Sequence, residues 1–260
     1  MPRFDANLDY LFLEQDSLPA RIAAAAKAGF KGVEMLRPYA TPAAGVKEAL
    51  TAAGVEAVLI NSPTDPEKGT MGHAALPGEE AVFEAEIGQA LDYAAAIGAG
   101  RIHVLSGRID PASAPARDTL IANLRRAAPE AQRRGVTLLI EPLNGHDQPG
   151  YFLNRAEQGA EIVEAVGHPA VRLQFDCYHT QVQQGDVLRR LEGVLALVGH
   201  IQIAGPPARV SPDQGEVNYP WLLAEIDALG YGGWIGFEYR CPDGTPAGLA
   251  WAAPYGIRAG

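Results

Sequence analysis

The chain has 260 residues, 47% hydrophobic and 20% charged, with a formal net charge of -10. That composition supplies one large core, excludes a disordered chain, and argues against nucleic-acid partners, because phosphate contacts need a basic face. Two cysteines without ligand-like spacing, Cys177 and Cys241, read as free thiols. No stretch approaches the ~20 apolar residues of a membrane span, and Met1–Leu13 lacks signal-peptide character; a cytoplasmic protein with no membrane partner is expected.

Arg3–Asn7 opens as a strand. Seven times thereafter a helical segment meets a glycine and then a short apolar run. The glycines are Gly29, Gly54, Gly98, Gly135, Gly167, Gly199 and Gly230. The runs after them are Gly32–Leu36, Glu56–Ile60, Arg101–Leu105, Val136–Ile140, Val171–Phe175, His200–Ile203 and Trp234–Phe237. Glycine ends a helix in a left-handed cap, and such runs suit strands buried on both faces. Ser17 with Pro19, Thr41-Pro42 and Asp118 read as helix starts. Strands alternating with helices imply parallel pairing and right-handed crossovers. Eight strands favour a closed (β/α)₈ TIM barrel over an open sheet, since Asn7–Gln15 lacks any glycine for a phosphate loop. No domain boundary interrupts residues 1–260, so one domain is expected. The Pro- and Gly-rich stretch Ser62–Gly78 reads as an active-site loop.

In such a barrel, chemistry belongs at the C-terminal strand ends. Those positions carry Asn7, Glu34, Asn61, His103 with Ser106, Glu141, Asp176, Gln202 and Glu238. Taken singly, each acid is as well explained by an arginine partner or by capping the next helix. Together, Glu141, Asp176, Gln202 and Glu238 sit on four consecutive strands, and three clustered buried carboxylates need a cation. Their all-oxygen donor set suits Mg²⁺ or Mn²⁺ better than Zn²⁺. Glu34 and His103 read as supporting residues. Cys177, next to Asp176 on a strand, is expected to point into packing.

Several segments carry a family resemblance: Ile140-Glu-Pro-Leu-Asn144, Phe175-Asp-Cys-Tyr-His179, Gly199-His-Ile-Gln-Ile-Ala204 with Pro206-Pro-Ala-Arg209, Gly215-Glu-Val-Asn-Tyr219 and Gly236-Phe-Glu-Tyr239. With Phe4-Asp-Ala-Asn-Leu8, Gly32-Val-Glu34 and Leu76-Pro-Gly78, the chain resembles the hydroxypyruvate isomerase family of the xylose-isomerase-like barrels. The resemblance implies that Glu141 and Glu238 are paired proton donor/acceptors and also ion ligands, with Asp176 and Gln202 completing the site. It also implies that His179, on the loop after strand six, and Arg209 contact substrate oxygens. Two places depart from the family pattern: Gly205, where many relatives carry an acidic or amide residue, and the loop after Asn61.

The implied substrate is a small keto acid or sugar, hydroxypyruvate first, going to tartronate semialdehyde through an enediolate. A 2-dehydrotetronate isomerase or a ketose 3-epimerase would use the same chemistry. A metal-dependent phosphodiesterase or endonuclease would need a basic face and more clustered His and Asp. A sugar-binding barrel would have no use for two opposed carboxylates. Arg209 is the expected anchor for a substrate carboxylate, with Arg240 and Lys68 as alternatives. A homo-oligomer is left open.

Overall fold

The computed structural model describes residues 3–65 and 69–258. The first half runs β1 (Arg3–Asn7), α1 (Leu18–Lys27), β2 (Gly32–Met35), α2 (Ala43–Ala53), β3 (Glu56–Asn61), α3 (Glu80–Ile97), β4 (Arg101–His103) and α4 (Ala114–Arg133). The second runs β5 (Thr137–Ile140), α5 (Ala156–Val166), β6 (Val171–Asp176), α6 (Cys177–Gln183), α7 (Val187–Val194), β7 (Val198–Ile203), α8 (Tyr219–Ala228), β8 (Trp234–Phe237) and α9 (Thr245–Gly248). The strands are parallel and close in chain order, with β8 paired onto β1, giving the expected (β/α)₈ barrel. No helix among the described residues is long and apolar enough to cross a membrane.

Local rules account for most boundaries. Ser17 caps α1 by accepting from the Ala20 N–H, and Gly54, Gly98 and Gly167 end α2, α3 and α5 in the left-handed conformation. Some expectations are corrected. Asp118 lies inside α4, which starts at Ala114 with Ser113 as its cap. At α2 the cap position is Pro42, without a side-chain bond from Thr41. Gly199 ends no helix: it sits within β7, where a Cβ would come 2.8 Å from the Arg172 and Leu139 side chains. Cys177 is the first residue of α6 and not part of a strand, although it is buried as expected. Gly205 follows β7, where a Cβ would fall 2.5 Å from Ser211 O, so close backbone packing leaves no room for a side chain there.

Alternation along the strands sorts two surfaces. Outward residues such as Ile201, Ile203, Ile235 and Phe237 pack under the helices. Phe237 meets Phe4, Phe30 and Trp251 at centroid distances of 5.2, 5.4 and 5.1 Å and so seals the β8–β1 seam. Each such side chain contributes on the order of 1.5–3 kcal/mol by leaving water. The alternate positions are mainly polar: Asp5 and Asn7 on β1, Glu34 on β2, His103 on β4, Gln174 and Asp176 on β6, His200 and Gln202 on β7. Val58, Leu59, Leu139 and Trp234 form a separate small apolar cluster. The barrel therefore holds a buried polar column, unlike the aliphatic layers usual in this architecture.

Candidate active site

Glu141 directly follows β5, Asp176 ends β6, Gln202 lies near the end of β7, and Glu238 directly follows β8. Strand register places Asp176 beside Gln202. All four are buried. Glu141 and Glu238 border one chamber of about 100 Å³ together with His103, Gln174, His179 and Arg209. Asp176 and Gln202 adjoin it. Asp176 Oδ2 is 3.8 Å from His179 Nε2, and Gln202 Oε1 accepts from Gln174 Nε2 at 2.6 Å. A wider vestibule of about 410 Å³ shares Tyr10, Leu36, Asn61, Met71, Leu105 and Gln148 with the chamber. Ser62, Thr64, Gly69, Thr70 and Met71 line this vestibule, so the long loop after β3 does flank the mouth. Lys68 lies outside the described residues.

Asp176 shows that capping and site chemistry coexist in one side chain. Its Oδ1 caps α6, accepting from Tyr178 N at 2.6 Å and His179 N at 3.4 Å. Its Oδ2 has no hydrogen-bond partner and is buried, as is Glu141 Oε1. His179 accordingly sits in the first turn of α6 and not on a loop. Its Nδ1 accepts from the Asn144 backbone N–H at 3.1 Å and faces the Asn144 amide at 2.7 Å, which leaves the proton on Nε2. Burial, and then the charge of Arg209, depress its basicity, so the ring is neutral.

The carboxylates are strained electrostatically. Burial first, then the charges of Glu238 and Asp176, push Glu141 well above the usual carboxylate range. Burial pushes Glu238 up to about 8 against the opposing pull of Arg209, and Asp176 to about 6 against the same guanidinium. Arg209 Nη2 lies 2.5 Å from Glu238 Oε1 and 3.7 Å from Asp176 Oδ2. Its guanidinium packs over Tyr10 and Tyr178, 4.9 and 5.1 Å from the ring centres. Burial opposes that charge, but Glu238 and its neighbours more than offset this and hold Arg209 above its ordinary value. Arg240 is exposed and does not line the chamber.

One guanidinium facing three buried acids leaves a deficit of positive charge. Side-chain atoms of Glu141, Asp176 and His179 lie within 4.8 Å of one another. The unpartnered oxygens of Glu141 and Asp176 are the donors a hard divalent ion takes. The His179 ring presents an N–H on its free side and has no lone pair left there for an ion. The residues present fit a divalent cation.

The interior holds more than the strand ends alone suggest. Gln174 Nε2 bridges Glu141 Oε2 at 2.8 Å and Gln202 Oε1. Asp5, Glu34 and His200 form a second compact polar group. Gln174 and His200 stand two residues before Asp176 and Gln202, so strand alternation alone could have placed them in the interior. His103 Nδ1 lies 3.2 Å from Glu141 Oε2; burial lowers its pKa to about 3, in keeping with a supporting role.

Comparison with known proteins gives a consistent picture. The profile of the family described as xylose isomerase-like TIM barrel matches residues 22–255. A 2-oxo-tetronate isomerase of Cupriavidus necator is 51% identical, over 98% of this chain and 99% of that protein. A hydroxypyruvate isomerase of Escherichia coli is 38% identical, over 98% of this chain and 100% of that protein. A crystal structure from Brucella melitensis, named as an AP endonuclease, family 2, superposes with a TM-score of 0.94 at 40% identity, covering 98% of this chain and 99% of that one. On the profile match and these full-length identities, the chain belongs to the xylose isomerase-like TIM barrel family.

Proposed function

We propose that this chain is an aldose–ketose type isomerase of small 2-oxo acids, with 2-oxo-tetronate its leading substrate and hydroxypyruvate the second. The observation that carries the reading is the pair Glu141 and Glu238, which border one chamber of about 100 Å³ beside the free oxygen of Asp176. The motif resemblance favours hydroxypyruvate, whereas the 51% identity to a 2-oxo-tetronate isomerase favours the four-carbon acid.

In either acid, one carboxylate removes the proton from C3, which bears the hydroxyl group. The electron pair forms a 2,3-enediolate, the hydroxyl proton passes from O3 to O2, and a carboxylic acid returns a proton at C2 as the carbonyl moves to C3. The Arg209 guanidinium against Glu238 biases the negative charge of the pair toward Glu238, making it the base in this direction and Glu141 the acid. The Nε2–H of His179 donates to a substrate oxygen. Glu141, Asp176, Gln202 and Glu238 would hold a divalent ion, Mg²⁺ or Mn²⁺, which when bound supplies Lewis-acid polarisation of the carbonyl and stabilisation of enediolate charge. Arg209, already paired with Glu238, tunes that base.

A ketose 3-epimerase would use the same carboxylates, but the small chamber favours three- and four-carbon acids. Nucleic-acid cleavage is disfavoured by the net charge of -10 and by that chamber, despite the endonuclease name carried by the Brucella structure. Free Cys177 and Cys241 fit a reducing cytoplasm.

The test is proton NMR in D₂O with 2-oxo-tetronate and hydroxypyruvate, with Mg²⁺ or Mn²⁺ and after chelation. Expected are conversion and solvent deuterium in the carbon-bound position, faster for 2-oxo-tetronate and abolished by chelation. No conversion of either acid with ion present would refute the reading.

A further inference from the structure

Below the candidate ion ligands, the barrel encloses a second group of ionisable residues that the proposed reaction does not use. Glu34 is fully buried on β2. Its Oε2 accepts from Gln202 Nε2 at 2.7 Å and from Asn7 Nδ2 at 3.0 Å, and its Oε1 accepts from His200 Nε2. Room for this carboxylate is made by Gly236 on β8, where a Cβ would fall 2.1 Å from Glu34 Oε1. A buried carboxylate costs several kcal/mol unless it is fully satisfied, so three donors converging on one acid, with a glycine vacating its space, constitute a built feature.

Asp5, Glu34 and His200 are close enough together to suggest a second ion site. The oxygens of Glu34 are already taken by Asn7, Gln202 and His200, however, which makes the group a brace and not a cage.

The consequence falls on Gln202. A carboxamide has two ends, of which only the oxygen can ligate a cation. Glu34 takes the N–H end, and the other end, Oε1, lies on the Glu141 side, where Gln174 Nε2 bridges the two. Turning the Gln202 amide over would set its oxygen against the Glu34 carboxylate and its N–H against the Gln174 N–H. Both contacts are repulsive.

We propose that Glu34 is a positioning residue for the cation site: it fixes the Gln202 amide so that Oε1 faces the carboxylates, and Gly236 makes room for it. This rests on the ligand set of the proposed function.

The test is a double-mutant cycle read by Mn²⁺ affinity, using electron paramagnetic resonance on the full chain. The four proteins are wild type, Glu34→Leu, Gln202→Glu and the double variant. With Gln202 present, Glu34→Leu is expected to weaken Mn²⁺ binding at least about tenfold, the range for loss of a residue that orients a ligand. In the Gln202→Glu background the loss disappears or reverses, because a carboxylate offers an oxygen whichever way it turns and no longer faces the like charge of Glu34. Circular dichroism checks folding. If Glu34→Leu does not fold, Glu34→Gln replaces it. That variant should cost little beside Gln202, yet tighten Mn²⁺ binding beside Gln202→Glu, where its amide donates to the new carboxylate. Equal factors in the two backgrounds overturn the proposal. A wild-type chain that binds no Mn²⁺ overturns both ion site and brace; wild-type binding with an unaffected Glu34→Leu overturns the brace alone.

Discussion

Arg209 Nη2 lies 2.5 Å from Glu238 Oε1, within the same buried chamber that Glu141 borders. An arginine expected to bind the acid end of a substrate is thus engaged with a candidate base. The pairing lowers the pKa of a carboxyl group that burial raises.

Arg209→Met should therefore act on more than binding. Removing the cation moves the pKa of Glu238 upward, so the ascending limb of the pH–rate profile shifts to higher pH by about one unit or more. The loss in kcat/KM at neutral pH should reach about 1.5–3 kcal/mol, the scale of a hydrogen bond to a charged group. A neutral ketose of similar length should suffer nearly the same loss as the acid. An unshifted profile, with a loss confined to the acid substrate, would return Arg209 to a purely anion-binding role.

Glu141→Gln and Glu238→Gln should each reduce kcat by at least ~10², the lower range for loss of an acid or base. Each variant also loses a ligand charge, so bound Mn²⁺ must be quantified beside the rate. Near-normal turnover at full occupancy in either variant would dismiss the two-carboxylate mechanism.

Much of this is legible in the sequence because the relevant signals are local. Gly54, Gly98 and Gly167 end helices as expected, and apolar runs mark the strands at whose C-terminal ends Glu141, Asp176, Gln202 and Glu238 stand. Position along a strand can be read from such runs. Partnership cannot: Arg209 is separated from Glu238 by 29 positions, and Glu34 from His200 by 166. The helix after Asp176 escapes a sequence reading because Cys177–Gln183 is a single short element following its strand without a turn, where a loop is the ordinary expectation. Gly199 misleads because glycine serves equally as a helix stop and as a gap for packed neighbours, and only the Arg172 and Leu139 contacts distinguish the two.

The metal-free protein should lose stability as pH rises. Glu141, Asp176 and Glu238 all bind protons more tightly folded than unfolded. For groups raised in this way, their contribution is complete below the unfolded value near 4 and is lost as pH climbs through the folded values, about 6 for Asp176 and about 8 for Glu238. The unfolded chain holds fewer protons throughout that window, so the slope of stability against pH is negative. Thermal melts of chelator-treated protein between pH 5 and 8, about the window these shifts define, should show a falling Tm. Mn²⁺ should restore it most at the alkaline end, where the ligands give up their protons most readily. A Tm that rises with pH in the absence of metal would mean the carboxylates are satisfied by something other than a cation.

Gly236→Ala tests the interior without replacing a candidate ligand. Gly236 is buried within β8, and its missing Cβ leaves the space that Glu34 occupies. A methyl group there would meet Glu34 Oε1 at 2.1 Å and Gln202 Cγ at 3.1 Å, so Glu34 must move. Neither relief is easy: Glu34 is bonded to Asn7, Gln202 and His200, and β8 is paired on both sides. Overpacking of this kind costs about 1–3 kcal/mol. The displaced Glu34 should also release Gln202, so Mn²⁺ affinity should fall along with Tm. Gly32→Ala is the control for overpacking alone, since a Cβ there would meet Val58 at 2.5 Å and Trp234 at 3.0 Å, away from Glu34. It should lower Tm while leaving Mn²⁺ affinity near the wild-type value. If both variants lose Tm and affinity in the same proportion, crowding anywhere in the barrel loosens the site, and Gly236 has no particular connection to Gln202.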